Sequence, residues 1–350
     1  MGQTDVAMKA ALQCGEYFAD ICNMLLCKGE QFIKAEKLTP LDGAEEISIH
    51  QKNGKRFSIG RQRDILKEAE LAWMEDDRAS YVILGIEHQS AVDYAMPIRN
   101  LIYDALQYGM QVQHLGEERK SSPADFLSGI GRTDRLKPVI TMVVYTGMES
   151  WEHPSSLRDV LDLEGLPQEM LAYIPDVQMP VLDVRHSQEL GLLQTKLKNV
   201  FEAAGLHQDG ARLKAYIEDP ANGFSEIPGL LANVFENLVN MGMPEFPAEK
   251  EVNMCEAVEQ WAQEERAQGI EQGIEQGRAQ GIEQGRVQGT EQAVRNIMDS
   301  LGLTPQQAMD AMKIPKEEQD KFLTLINKEA PVQTQAQKQP EITKKKHRTL

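Results

Sequence analysis

The chain has 350 residues, a length that fits roughly two domains. Hydrophobic residues make up 41% and charged residues 26%, an ordinary globular balance that excludes a wholly disordered, collagenous or disulfide-stapled chain. The formal charge of −17 opposes non-specific attraction to nucleic acid, so any phosphate contact must come from a local patch.

The opening stretch has no basic region feeding an apolar run, so no secretory signal is expected. No apolar run approaches the roughly 20 residues of a membrane span, and no membrane partner is expected. Cys14, Cys22, Cys27 and Cys255 sit at no zinc spacing. Buried thiols in a reduced, cytoplasmic chain are the simplest reading.

Residues 4–27 read as one amphipathic helix, with Leu12, Phe18, Ile21, Leu25 and Leu26 near helical spacing and Gly29 as a stop. Ile47–His50 reads as a short strand, and Lys52-Asn53-Gly54-Lys55 as a hairpin turn. A second strand or long ribbon follows from Phe57 to Trp73. Glu75–Arg78 is a polar turn. Tyr81–Glu87 is then the clearest strand of the chain, apolar enough to be covered on both faces. Pro97 fits the first turn of a helix reaching about Gly116. Val139–Tyr145 and Val181–Arg185 read as further strands, and from Leu190 the chain reads helical: Leu190–Gly205, Ala211–Ile217 and Ile227–Met241.

Residues 267–292 repeat in tetrads, with glycine at 269, 273, 277, 281, 285 and 289. Each four-residue step drifts about 40° around a helix, and each glycine costs about 1 kcal/mol against alanine. A self-associating helix and a flexible spacer both fit. Amphipathic helices resume over 294–327, and the Gln-rich end closing on KKKHRTL reads as a disordered basic tail.

The end of the Tyr81–Glu87 strand is where chemistry gathers, as it does at strand ends of open α/β sheets. Glu87 and Gln89 share a face and His88 points the other way. If the segment before it pairs as a hairpin, Asp64 comes beside Glu87. Two carboxylates on adjacent strands, with the backbone carbonyl of His88, make an all-oxygen site suited to Mg²⁺. Lys52, Lys55, Arg56, Arg61, Arg63 and Lys67 cluster against the single acid Asp64. They read either as a phosphate-facing patch or as solvated hairpin charges. Facing away from Glu87, His88 reads as a hydrogen-bonded structural histidine, and Ser90 as a helix-entry residue.

Gly85-Ile86-Glu87-His88-Gln89-Ser90, then Asp93-Tyr94-Ala95-Met96-Pro97-Ile98-Arg99-Asn100 and Tyr103, resembles the signature of the recombination-promoting nuclease/putative transposase family, within the PD-(D/E)xK nuclease superfamily. Phe18-Ala19-Asp20 leading to Gly29, Arg63-Asp64-Ile65-Leu66-Lys67, and Pro138–Tyr145 with Gly147 and Trp151 agree, as do the Glu-Gln-Gly tetrads. The resemblance spans about residues 10–190. It implies an α/β fold, a PD-(D/E)xK nuclease-like central mixed sheet flanked by helices, with an α-helical C-terminal extension. The nuclease-like domain would take residues 1–200, a helical segment 201–260, the tetrad arm 261–293, a small helical segment 294–329 and the tail 330–350.

The implied activity is Mg²⁺-dependent cleavage of double-stranded DNA, with Mn²⁺ as a substitute. Asp64 and Glu87 would bind the metal with the His88 carbonyl. Gln89 stands where the superfamily usually has lysine, and glutamine there is common in this family. Asp20 or Glu16 could add a metal contact or be solvated helix carboxylates, and Arg99 would lie near the site. The alternative is a catalytically degenerate nuclease fold kept as a DNA- or protein-binding assembly module. Self-association through the tetrad arm would give a homodimer.

Overall fold

The computed structural model describes residues 2–50, 56–71, 80–118, 130–152 and 154–328; side chains at 45–50, 56–59, 61, 118 and 328 are outside the description. Residues 1–261 and 262–350 form two compact units.

The first unit is a mixed α/β arrangement around a five-stranded sheet. Its strands are β1 (Leu38–Pro40), β4 (Ile65–Leu71), β5 (Ser80–Gln89), β6 (Val139–Tyr145) and β7 (Val181–Asp183), in the order β1-β4-β5-β6-β7. β4 is antiparallel to both β1 and β5, while β5, β6 and β7 run parallel to one another. The expected Phe57–Trp73 ribbon is two strands. β3 (Arg56–Gln62) pairs with β2 (Ala44–His50) in a separate ribbon, and β4 joins the main sheet. The turns expected at 52–55 and 75–78 lie outside the described residues.

β5 is buried from Val82 to His88, as its apolar run requires. Leu84 and Ile86 join a core with α1 (Gln3–Gln13) and α2 (Gly15–Cys27), while Ile83 packs with Leu66 and near Tyr108 of α3 (Met96–Glu118) on the opposite face. The crossover from β5 to the parallel β6 is made through α3.

The single helix expected over 4–27 breaks at Cys14, whose backbone is extended at φ −63°, ψ 125°. Its end leaves the carbonyl of Gln13 without a helical partner, and Lys67 Nζ donates to that oxygen at 2.7 Å. Lys28 and Gly29 end α2 in the left-handed region, φ 55° and 87°.

A domain break expected at residue 200 is absent from the core. Helices Leu197–Gly205 and Gly229–Val239 bury Val200, Phe201, Leu231 and Phe235 in the same apolar cluster as β5 and α2. Ile227 and Pro228, expected as helix, pair with Val252 and Glu251 instead.

The tetrads lie in one α-helix, Met254–Leu301. In the second unit Val287, Val294 and Ile297 of this helix pack with Met309, Phe322 and Ile326 of two short helices, Pro305–Ala311 and Lys316–Lys328. The first of these starts with a capping box, Thr304 and Gln307 bonding reciprocally, with Pro305 in the first turn. Among the described residues, no helix is long and apolar enough to cross a membrane. The tail 330–350 lies outside the described residues.

Candidate active site

The register of β4 on β5 pairs Ile65 with Ile86, so the next residues outward, Asp64 and Glu87, stand opposite each other. Two hydrogen bonds tie them. The Asp64 N–H donates to Glu87 Oε1 at 3.4 Å, and the His88 N–H donates to Asp64 Oδ2 at 2.9 Å. The two carboxylates are therefore brought together at adjacent strand ends.

Glu87 is buried, and its carboxyl is pushed up to about 7, first by desolvation and then by the charge of Asp64. Arg63 and Arg99 oppose that rise. Arg63 Nε lies 3.7 Å from Glu87 Oε1. Its guanidinium also donates to Thr141 Oγ1, sits 3.9 Å from Asp104 and lies over the Tyr103 ring at 5.3 Å.

Gly85 makes room for this cation. A Cβ at residue 85 would meet Arg63 Nη2 at 2.1 Å, and the guanidinium is enclosed. Gly85→Ala is therefore expected to lower stability by about 2 kcal/mol or more, because a buried charge must shift away from its partners. A thermal melt of the full chain checks this. An unchanged melting temperature would show that Arg63 has another place to go.

A second chain of contacts begins on α1, which sequence reasoning left out of the site. Lys9 Nζ lies 2.8 Å from Asp64 Oδ1 and 3.1 Å from Asp5 Oδ2. Asp5 Oδ1 meets His88 Nδ1 at 3.0 Å, and His88 Nε2 meets Thr146 Oγ1 at 2.8 Å. Burial works against the Lys9 charge, but Asp64 and Asp5 outweigh it and raise the pKa. For Asp5, burial acts upward and the bonds from His88 and Lys9 outweigh it, leaving the carboxyl below its ordinary value. Burial lowers the His88 pKa, favouring a neutral ring held between Asp5 and Thr146. The expected structural role of this histidine matches its contacts. Asp5 and Lys9 stand one helical turn apart as an i,i+4 pair, but nothing in that spacing ties them to residue 64.

The remaining predicted site residues divide. Gln89 is half-buried at the end of β5, its carbonyl accepting from the Thr146 N–H at 2.9 Å. Arg99 lies close enough to act on the Glu87 charge, and is itself held by Asp93 at 2.7 Å and the Tyr103 hydroxyl at 3.3 Å. Asp20 is committed elsewhere. It is buried and accepts from the N–H groups of Gln194 and Thr195 and from the Thr195 hydroxyl. Those bonds fix the chain that enters the following helix. Glu16 is exposed on α2.

Two members of the six-cation patch can be placed. Arg63 and Lys67 are buried, the first beneath α3 and the second against Gln13 and the Phe18 ring, so neither faces solvent phosphate. Arg56 and Arg61 lie on β3, with side chains outside the description, and Lys52 and Lys55 lie outside the described residues.

Among the described residues, no group of three or more His, Cys, Asp or Glu side chains is arranged to hold a metal ion. Mg²⁺ does not require one, since it keeps several waters and is bound through one or two carboxylates. Asp64 and Glu87 offer hard oxygen donors at adjacent strand ends. Asp64, Glu87 and the neighbouring His88 carbonyl are oxygen donors of the kind that could hold a small divalent cation.

In comparisons with curated proteins and with solved structures, nothing matches the chain. Residues 62–218, which run from the end of β3 through the paired carboxylates into the helices that follow β7, match the family model described as putative transposase, YhgA-like, a family of the PD-(D/E)xK nuclease-like group.

Proposed function

We propose that the protein is a Mg²⁺-dependent endonuclease acting on double-stranded DNA, with a PD-(D/E)xK-type sheet as its catalytic framework. One observation carries the reading. Asp64 and Glu87 meet at the ends of adjacent strands, and Glu87 is held near neutrality by burial and by Asp64. The match of residues 62–218 to a transposase-like, nuclease-like family model supports the same class of chemistry.

Bound Mg²⁺ would polarise a phosphoryl oxygen and lower the pKa of a water. The chain supplies the rest. The His88 N–H fixes the Asp64 carboxylate in direction, and the Asp5–His88–Thr146 contacts hold the strand end that carries it. Gln89 offers an amide that can donate to or accept from a water but supplies no charge. The test is nicking of supercoiled plasmid by the full chain, with Mg²⁺ and with chelator. Nicking that persists in chelator, or never occurs, overturns the reading.

The alternative, a catalytically silent binding or assembly module, draws on a different observation. Asp64 already has Lys9 and the His88 N–H as partners. Calorimetric titration with Mg²⁺ and Mn²⁺ separates the two, because absence of binding at millimolar ion favours the module.

Self-association through the tetrad helix belongs to the same proposal. Ile270, Ile274 and Ile282 are 64%, 67% and 64% exposed, and a Cβ added at any of the six tetrad glycines meets nothing within 4 Å. Those open backbones and isoleucines fit a second copy of the helix. Ile270→Asp with Ile274→Asp is expected to lower the sedimentation mass of the full chain to that of a monomer. An unchanged mass removes the isoleucine face from association.

A further inference from the structure

We infer that Asp104 is a positioning residue for the carboxylate pair: with Thr141, it holds the Arg63 guanidinium back from Glu87 and leaves Glu87 open to a divalent cation. This rests on the nuclease reading above and adds a residue to it.

An enclosed cation beside an enclosed carboxylate works against a metal site. A charge-assisted N–H···O bond closes to about 2.7–2.9 Å and occupies oxygen lone pairs that a metal needs. The Arg63 side chain has no exposure and that of Glu87 has 2%, so neither can turn to water instead. Yet their closest approach is 3.7 Å, outside hydrogen-bond reach. Arg63 therefore attracts Glu87 by charge without bonding it.

Thr141 and Asp104 draw the guanidinium the other way. Arg63 Nη2 donates to Thr141 Oγ1, and the Thr141 hydroxyl donates on to Asp104 Oδ1 at 2.5 Å. Arg63 Nη2 also lies 3.9 Å from Asp104 Oδ1, so charge and hydrogen bonds act in the same direction. Asn100 steadies the relay, its Nδ2 donating to the Thr141 carbonyl at 3.2 Å. Asn100 and Asp104 stand one turn apart on α3, so one helix face sets both.

Gly85 and Tyr103 also shape the position of Arg63. The first leaves room for the guanidinium, and the ring of the second lies 5.3 Å from it, but neither carries a negative charge. Asp104 does. At 3.9 Å against 3.7 Å, its pull on Arg63 is comparable to that of Glu87. Removing that charge tips the balance, and Arg63 closes on Glu87 and competes with a metal for it.

The test titrates Mg²⁺ by calorimetry into the full chain and its Asp104→Asn and Asp104→Glu variants, with no DNA present. Asp104→Asn is expected to weaken Mg²⁺ binding by about 10–100-fold, the usual cost of losing a group that orients a metal ligand, and Asp104→Glu to recover most of that loss. A negative charge lost at a distance also weakens a cation, but salt screens that effect and barely touches an enclosed ion pair. The loss should therefore persist in about 0.5 M KCl. The proton resonance of Arg63 Nε–H in metal-free protein gives a second readout. It should move downfield in Asp104→Asn as a bond to Glu87 forms.

Wild-type Mg²⁺ binding matched by an equally tight Asp104→Asn overturns the role of Asp104 and leaves the nuclease reading standing. A loss that disappears in salt overturns it too, as does an Arg63 resonance that stays in place, since the guanidinium would then be held without Asp104. If the wild type binds no Mg²⁺, the nuclease reading falls and this role falls with it. Should Asp104→Asn fail to fold, Asp104→Leu is similar in shape, removes the same charge and carries the same outcomes.

Discussion

Asp64→Asn and Glu87→Gln should each reduce Mg²⁺-dependent nicking by about 10³-fold or more, with the folded chain retained. That factor corresponds to roughly 4 kcal/mol of barrier, a fair share for a ligand of a metal that stabilises phosphoryl charge. Both substitutions keep side-chain volume and remove one negative charge. For Asp64, the hydrogen bond from the His88 N–H has an amide oxygen to go to, so the strand end is kept. Rates measured on intact plasmid, with Mg²⁺ affinity measured on the same samples, distinguish lost metal from lost chemistry. If either variant nicks at the wild-type rate, that carboxylate is not a ligand, and the centre of the site lies elsewhere.

The two variants should also differ from each other. Asp64 holds Lys9 at 2.8 Å, whereas Glu87 faces the enclosed Arg63. Removing the Asp64 charge leaves Lys9 its pair with Asp5, while removing the Glu87 charge leaves Arg63 with Asp104 at 3.9 Å. Arg63 cannot turn to water, but Lys9 can. Double variants of Asp64 with Lys9 should therefore be less than additive, as contacting residues usually are.

Much of this site was legible in the chain, for reasons that can be named. The run from Tyr81 to Ile86 is too apolar for anything but a covered strand, and it ends on Glu87. Once the preceding segment is read as its hairpin partner, alternation brings Asp64 opposite. What stayed hidden depends on contacts between distant elements. Arg63 and Lys67 are charged residues in a hairpin-like setting, the usual signature of a solvated surface. One is instead enclosed because Gly85 leaves space for it, and the other caps the end of α1. Asp20 looked available because nothing in the first helix announces the chain at 194–195 that it binds. Lys9 and Asp5 carry no local mark of function, since only the packing of α1 beside the strand end brings them to Asp64 and His88.

Glu87→Gln should also melt higher than wild type at pH 8 in the absence of divalent metal, with the difference shrinking as pH falls. The sign follows from the direction of the shift. Burial and Asp64 raise the folded-state pKa of Glu87 to about 7, above its ordinary value of 4.5. Below the ordinary value both folded and unfolded chains hold the proton, and the residue carries no penalty. As pH rises toward 7 the unfolded chain gives up the proton while the folded chain keeps it, so stability falls. Above about 7 the buried carboxylate is charged and the loss is complete, on the order of 3 kcal/mol. Glutamine has no such ionisation, and the wild-type minus variant difference cancels titrations that the two proteins share. For a unit of this size the gap at pH 8 is roughly 6 °C or more. Mg²⁺ should then raise the wild-type melting temperature at pH 8 and leave Glu87→Gln nearly unmoved, because a cation bound at the pair relieves the same repulsion. A gap of equal size at pH 5 and pH 8 would show that Glu87 is not the group held near neutrality, and would remove the electrostatic argument that a cation belongs there.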